Sequence, residues 1–418
     1  MWIFYFSSLM RSGKLAEGMD IHEKKKLGLV LSGGGIKAAA FHIGVCLALK
    51  EKGFHFAGGS KEVVRQKYPE GMPLTFRTYV GSSAGAFVSA ILAAGYDPES
   101  LINAFQLGSG ESPTYEKNDL RFLKPLRYSH IFSVNGLRML SLLPDALRRR
   151  SLVAGGLEAF LKNGFKLNGL FTTKGLERYL RKEAFIDNEF AHLGVELYVI
   201  ATQLNHTRKA IFGPFGESWK TTSTMFINSA SMSEAVACST ALPPVFAPHG
   251  VKLGAEGKEL FFYDGEIRET LSAHVAADHG CDLVISSYSV QPYHYTPEIG
   301  SLHHYGIPVI INQALYQVIE QKISKHIEWN SNLKQLYKTL DRHFKEQNTP
   351  TDQREKALDI IRKSLNYNPD VDYIHIHPRP QDYEMFFVDH FSLNPKILER
   401  IIRIGFKSTL NVLRRYDL

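Results

Sequence analysis

The chain has 418 residues, 44% of them hydrophobic, with three cysteines and a formal net charge of +7. That composition excludes a disordered or fibrous protein and a disulfide framework, leaves room for a sizeable core, and makes a reducing, cytoplasmic setting the expected one. The basic excess is local: residues 121–182 hold 13 Lys+Arg against 3 Asp+Glu, so one face is expected to meet anions.

The apolar start at 2–6 (WIFYF) follows no basic region and is cut short by Arg11, so neither a signal peptide nor a spanning helix is predicted. Residues 1–25 read as a poorly defined N-terminal segment. A strand is predicted at 26–32 (KLGLVLS), then Gly33, Gly34 and Gly35, then a helix from 38 to 52. Two ligands suit such a turn. Gly33, Gly35 and Ala38 satisfy the dinucleotide fingerprint, but that fingerprint expects an acidic residue about 20 positions on, and residues 53–60 (GFHFAGGS) supply none. Uncovered amides at a helix N-terminus still favour negative charge, and a transient oxyanion fits as well as a phosphate.

After a looser stretch, a strand at 75–80 (TFRTYV) delivers Gly81-Ser82-Ser83-Ala84-Gly85, followed by a helix at 86–95. Strand, G-x-S-x-G and helix are the setting of a nucleophile elbow, with Ser83 as the exposed hydroxyl and Ser82 as a turn residue. A serine needs a base to take its proton and preorganised donors for the tetrahedral oxyanion, and the glycine turn one βαβ unit earlier can supply the donors. His274, His279, His375 and His390 follow Ser83 and are candidate bases of a triad. The better candidate is Asp264, at the end of the apolar strand 259–265 (ELFFYDG), although Asp-Gly is also a common turn. To serve as a base it needs a raised pKa, for which Phe261, Phe262 and Tyr263 provide apolar surroundings and Glu266 a neighbouring charge.

Further strands are predicted at 196–204, 209–213, 281–288 and 370–378, with a helical stretch at about 308–366 and a terminal amphipathic helix from 394. Alternation of strands and helices implies an α/β fold with a mostly parallel sheet flanked by helices, and the absence of repeats favours one elaborated domain over 26–418. That domain includes a basic helical region at about 100–182 and the insertion at 308–366. Within the basic region, 136–153 (GLRMLSLLPDALRRRSLV) sets leucines beside Arg148, Arg149 and Arg150. These are candidates for an anionic lipid surface, or an amphipathic cap packed on the core. No nucleic-acid motif accompanies the charge, and no nucleic-acid partner is expected.

Gly33-Gly34-Gly35-Ile36-Lys37, Gly81-Ser82-Ser83-Ala84-Gly85, Asp264-Gly265 and the stretch Ser239–Pro248 (STALPPVFAP) occur in the order found in one family. Over about 27–290 the chain resembles the patatin-like phospholipases, serine lipid acyl hydrolases with a three-layer α/β sandwich. The resemblance implies a Ser83–Asp264 dyad, an oxyanion hole from the amides of Gly33, Gly34, Gly35 and Ala84, and no metal or cofactor. Phospholipid or another acyl ester is the implied substrate, and the basic stretch at 136–153 makes peripheral contact with an anionic membrane an expectation of its own. Two residues depart from the family pattern. Ala38 stands where glycine is usual, which matters if that backbone needs positive φ. Glu266 replaces a small residue and, with Lys37, is a candidate modulator, expected to raise the pKa of Asp264 and move the activity optimum upward. A non-catalytic lipid-binding or regulatory protein retaining the fold is the alternative, with turnover spoiled at Ala38 or Glu266.

Overall fold

The computed structural model describes residues 19–105, 123–134, 169–253, 257–365 and 367–416. Strand β1 (Leu27–Leu31) is buried along its whole length, as an interior strand covered on both faces must be. It is followed by α1 (Gly35–Glu51), β2 (Thr75–Ser82) and α2 (Ala84–Ala93). Then come β3 (Glu196–Gln203), β4 (Lys209–Phe212), β5 (Thr224–Ile227), α3 (Met232–Ser239), β6 (Glu259–Asp264) and β7 (Leu283–Ser287). The chain ends with α4 (Ile307–Glu346), α5 (Thr351–Leu365), β8 (Asp372–Ile376) and α6 (Pro395–Leu413).

The sheet runs β8-β7-β1-β2-β3-β4-β5. Its members from β8 to β3 are parallel, and β4 is antiparallel to β3. The mostly parallel sheet with flanking helices is the architecture expected from the sequence. The position of β6 decides the rest. Strand β3 pairs with β2 over its first half, Ser82 opposite Ile200, and then pairs antiparallel with β6, Asp264 opposite Ala201. Two strands of opposite direction thus share one edge of β3, and their carboxyl ends meet.

The structure departs from the sequence-based expectations in helix placement. Helix α1 begins at Gly35 rather than 38, because Gly34 (φ 132°) and Gly35 (φ 72°) make the whole reversal that three glycines were expected to share. Ala38 therefore lies inside α1 and needs no positive φ. The stretch 308–366 is two helices, broken where Asn348 adopts φ 53° ahead of Pro350. The looser stretch after α1 contains a helix, Lys61–Lys67, started by the Ser60 side chain accepting from the Val63 amide. Helix α6 lies directly on α1, where a Cβ at Gly44 would come within 2.0 Å of the Ile402 carbonyl. The three cysteines are buried and free.

Candidate active site

The turn between β2 and α2 holds Ser83 at φ 52°, ψ −122°, a conformation that a residue with a Cβ adopts only when its surroundings enforce it. Here the enforcement is visible. The Ser83 amide donates to Ser239 Oγ (2.7 Å), and Ser239 Oγ donates in turn to the Ile200 carbonyl (2.5 Å), pinning the turn to β3. Gly85 lets α2 begin against β1, since a Cβ there would stand 2.0 Å from the Leu31 carbonyl. Ser239 is the first residue of the 239–248 stretch, which the sequence flagged without giving this serine a role.

The meeting of β2 and β6 brings Asp264 beside Ser83, whose hydroxyl acts on the Asp264 carboxyl. Asp264 is buried, with its backbone amide donating to the Ala241 carbonyl (3.1 Å), its carbonyl accepting from Thr202 Oγ1 (3.1 Å) and Oδ1 accepting from the Glu266 amide (2.9 Å). Burial pushes its carboxyl up to about 6, against the lowering effect of the hydrogen bonds from Ser83 and the Glu266 amide. None of the four candidate histidines bonds Ser83. His274 pairs with Lys209 and Glu269, His279 with the Val275 carbonyl, His375 with Ser286, and His390 with Tyr316 and the Gly34 carbonyl.

Glu266 reaches the site from the turn after Asp264, half-buried as a residue but with its carboxyl facing inward. Its Oε1 accepts from the Gly33 amide (2.7 Å) and from Ser82 Oγ (2.5 Å), so a residue on β6's turn clamps the glycine turn to the serine turn. Burial, and after it the neighbouring Asp264 charge, push the Glu266 carboxyl up to about 7, while hydrogen bonds from Ser82, Gly33 and Thr270 oppose the rise. Burial is the largest cause of the rise at both carboxyls, ahead of the repulsion expected between them. Ser82 is more than the turn residue its position suggests, because its hydroxyl is a fixed donor to Glu266.

The glycine turn faces Ser83 closely: a Cβ at Gly33 would lie 2.8 Å from Ser83 Cβ and 2.5 Å from Glu266 Cγ. Of its amides, Gly33 is taken by Glu266, and Ile36 is taken by the His390 carbonyl (2.7 Å). No acceptor among the described residues takes the amides of Gly34, Gly35 or Ala84. The last two are the first residues of α1 and α2, so two helix N-termini converge on the serine. Lys37 is turned away from it and buried, donating to the Met385 (2.8 Å) and Val388 (3.4 Å) carbonyls and thereby holding the segment 385–391 over the start of α1. Burial lowers its ammonium to about 7, partly countered by Asp389.

Beside Ser83 opens an apolar pocket lined by Ile36, Phe87, Leu126, Phe246 and Phe391 together with Gly35 and Ala84. Among the described residues no cluster of side chains has the makings of a metal site. No helix among them is long and apolar enough to cross a membrane. Arg148, Arg149 and Arg150 lie outside the described residues.

A family model for patatin-like phospholipases matches residues 29–277, from β1 past β6. No curated protein matches the chain.

Proposed function

We propose that this chain, which belongs to the patatin-like phospholipase family, a family of lipid acyl hydrolases, cleaves a carboxylic ester with Ser83 as nucleophile and Asp264 as its base. The observation that carries the reading is the head-to-head meeting of β2 and β6 on β3, which sets a buried carboxyl beside a serine held in a strained turn.

In the first step Asp264 accepts the Ser83 proton as Ser83 Oγ attacks the ester carbonyl. Asp264 is a stronger base than an exposed carboxylate, because burial has lifted it to about 6. The amides of Gly34, Gly35 and Ala84 receive the oxyanion, supported by the positive ends of α1 and α2. As the tetrahedral intermediate collapses, Asp264 returns the proton to the leaving alkoxide. Water, deprotonated by the same carboxylate, then releases the acyl group as an acid. The acyl chain lies in the apolar pocket, whose walls accept methylene groups and leave the carbonyl beside Ser83. Product identification on a mixed lipid panel, with wild type set against Ser83→Ala and Asp264→Asn, tests the assignment.

The occupied Gly33 amide favours a second reading, a lipid-binding protein with turnover impaired at Glu266. A fluorophosphonate probe separates the two, since labelling at Ser83 requires an activated hydroxyl whereas vesicle binding without labelling does not.

A further inference from the structure

Helix α4 begins with an apolar side that nothing described in the protein covers. Ile307, Ile310, Ile311, Leu315 and Val318 are 46–72% exposed, and residues 307–319 contain no charge. Their spacing places them on one side of the helix, while Tyr316 and Ile323 project from the other side and are buried. One to three turns further, the exposed side carries Lys322, Lys325 and Trp329. An apolar strip of this length is more than scattered surface exposure.

The helix is also attached to the candidate active site at two points. Tyr316 Oη bonds His390 Nε2 (3.3 Å), and His390 in turn caps α1 at Ile36. Lys322 Nζ donates to the carbonyl of Ile267 (3.4 Å), the residue after Glu266. Beside the start of α4, the exposed rings of Tyr305 and Phe387 lie 5.5 Å apart, four residues before the pocket wall at Phe391.

We propose that this side of α4 docks the protein on an anionic phospholipid surface, an inference that rests on the lipid hydrolase reading above. The order along the helix is that of an interfacial segment: an uncharged apolar end sinks into the boundary between headgroups and acyl chains. Lysines then meet the phosphates, and a tryptophan settles at headgroup depth. The charge is complementary, since the exposed charged residues between 307 and 329 are Lys322, Lys325 and the single carboxylate Glu328. A second copy of the chain is a poorer occupant, because it would bury two ammonium groups in an apolar seam, whereas a bilayer lets them reach water and phosphate.

Co-sedimentation of the full chain with phosphatidylcholine vesicles, with and without about 30% phosphatidylserine, tests the docking. Wild type is expected to bind the anionic vesicles in a salt-sensitive manner. Ile311→Asn/Leu315→Asn should weaken binding at least tenfold, with the melting curve and turnover of a soluble short-chain ester unchanged. Lys325→Gln, which leaves the Lys322–Ile267 bond in place, should weaken it about fivefold, and Lys322→Gln/Lys325→Gln about thirtyfold with a flatter salt dependence. Vesicle binding unaltered in both double variants overturns the proposal. So does a wild-type dimer by light scattering that the apolar variant converts to monomer with vesicle binding intact, which assigns the side to a second copy. Docking that depends on this side in a protein without ester turnover would leave the inference standing and remove the hydrolase reading.

Discussion

The Gly33 amide donates to Glu266 Oε1 over 2.7 Å, so the first donor of the glycine turn is occupied before any substrate arrives. Glu266 keeps this bond whether neutral or charged, but its charge matters beside a forming oxyanion. A neutral Glu266 leaves the field of the remaining amides intact; a charged one opposes the negative oxygen they are meant to hold.

That relationship predicts a narrow pH profile. The two neighbouring carboxyls titrate as a coupled pair, both raised by burial, to about 6 at Asp264 and about 7 at Glu266. Ester turnover should rise as Asp264 loses its proton and fall as Glu266 becomes charged. Glu266→Gln keeps an acceptor for Gly33 and Ser82 but cannot ionise, so the rising limb should stay and the falling limb disappear. A kcat/KM profile from about pH 5 to 9 reads both limbs. An unchanged fall above pH 7 in the variant would mean that Glu266 is not the group responsible.

The same two carboxyls also act on stability. Both have folded-state values above the ~4 of an unfolded chain, so each favours folding below that value and loses this contribution as pH rises through its folded pKa. Buried histidines with lowered values, such as His42 and His390, act in the opposite sense over the same range, so the signature is a difference: the thermal midpoint of wild type relative to Glu266→Gln should fall as pH rises from about 4 to 7. Calorimetry across that window measures it.

Removing the hydroxyl of Ser83 or the charge of Asp264 should each lower turnover about a thousandfold or more, with the fold retained. Ser83→Ala should also abolish fluorophosphonate labelling, and Asp264→Asn should slow it. Circular dichroism separates these losses from unfolding.

Ser239→Ala leaves the Ser83 amide and the Ile200 carbonyl without their shared partner, at a cost of about 1–3 kcal/mol for each buried group left unpaired. The elbow then loses its tether to β3. The expected result is a lower melting temperature together with a fall in kcat that exceeds any change in KM.

Lys37→Met removes two of the bonds that hold the 385–391 segment, which bears Phe391 of the pocket wall. Turnover of long-chain esters should suffer more than that of short-chain ones, because the base and the amides are untouched while the wall is released. A chain-length series of soluble esters measures the split.

Much of this protein is written locally. The apolar runs of β1 and β2, the glycine turn, the G-x-S-x-G elbow and Asp264 at the end of an apolar strand were each legible, because strand burial, turn geometry and helix starts depend on residues a few positions apart. The start of α1 was placed three residues late and the break at Asn348 was not foreseen, since the backbone angles at Gly34, Gly35 and Asn348 do not follow from apolar spacing. What the sequence could not state is which distant residues share an edge of the sheet. Ser83 and Asp264 meet only because β3 pairs with β2 and then with β6, and Glu266 reaches back to Gly33 through the same pairing. Strand order and register are decided by the whole sheet closing its hydrogen bonds and burying both faces, and it is that closure which occupied one amide of the turn and left others for a substrate.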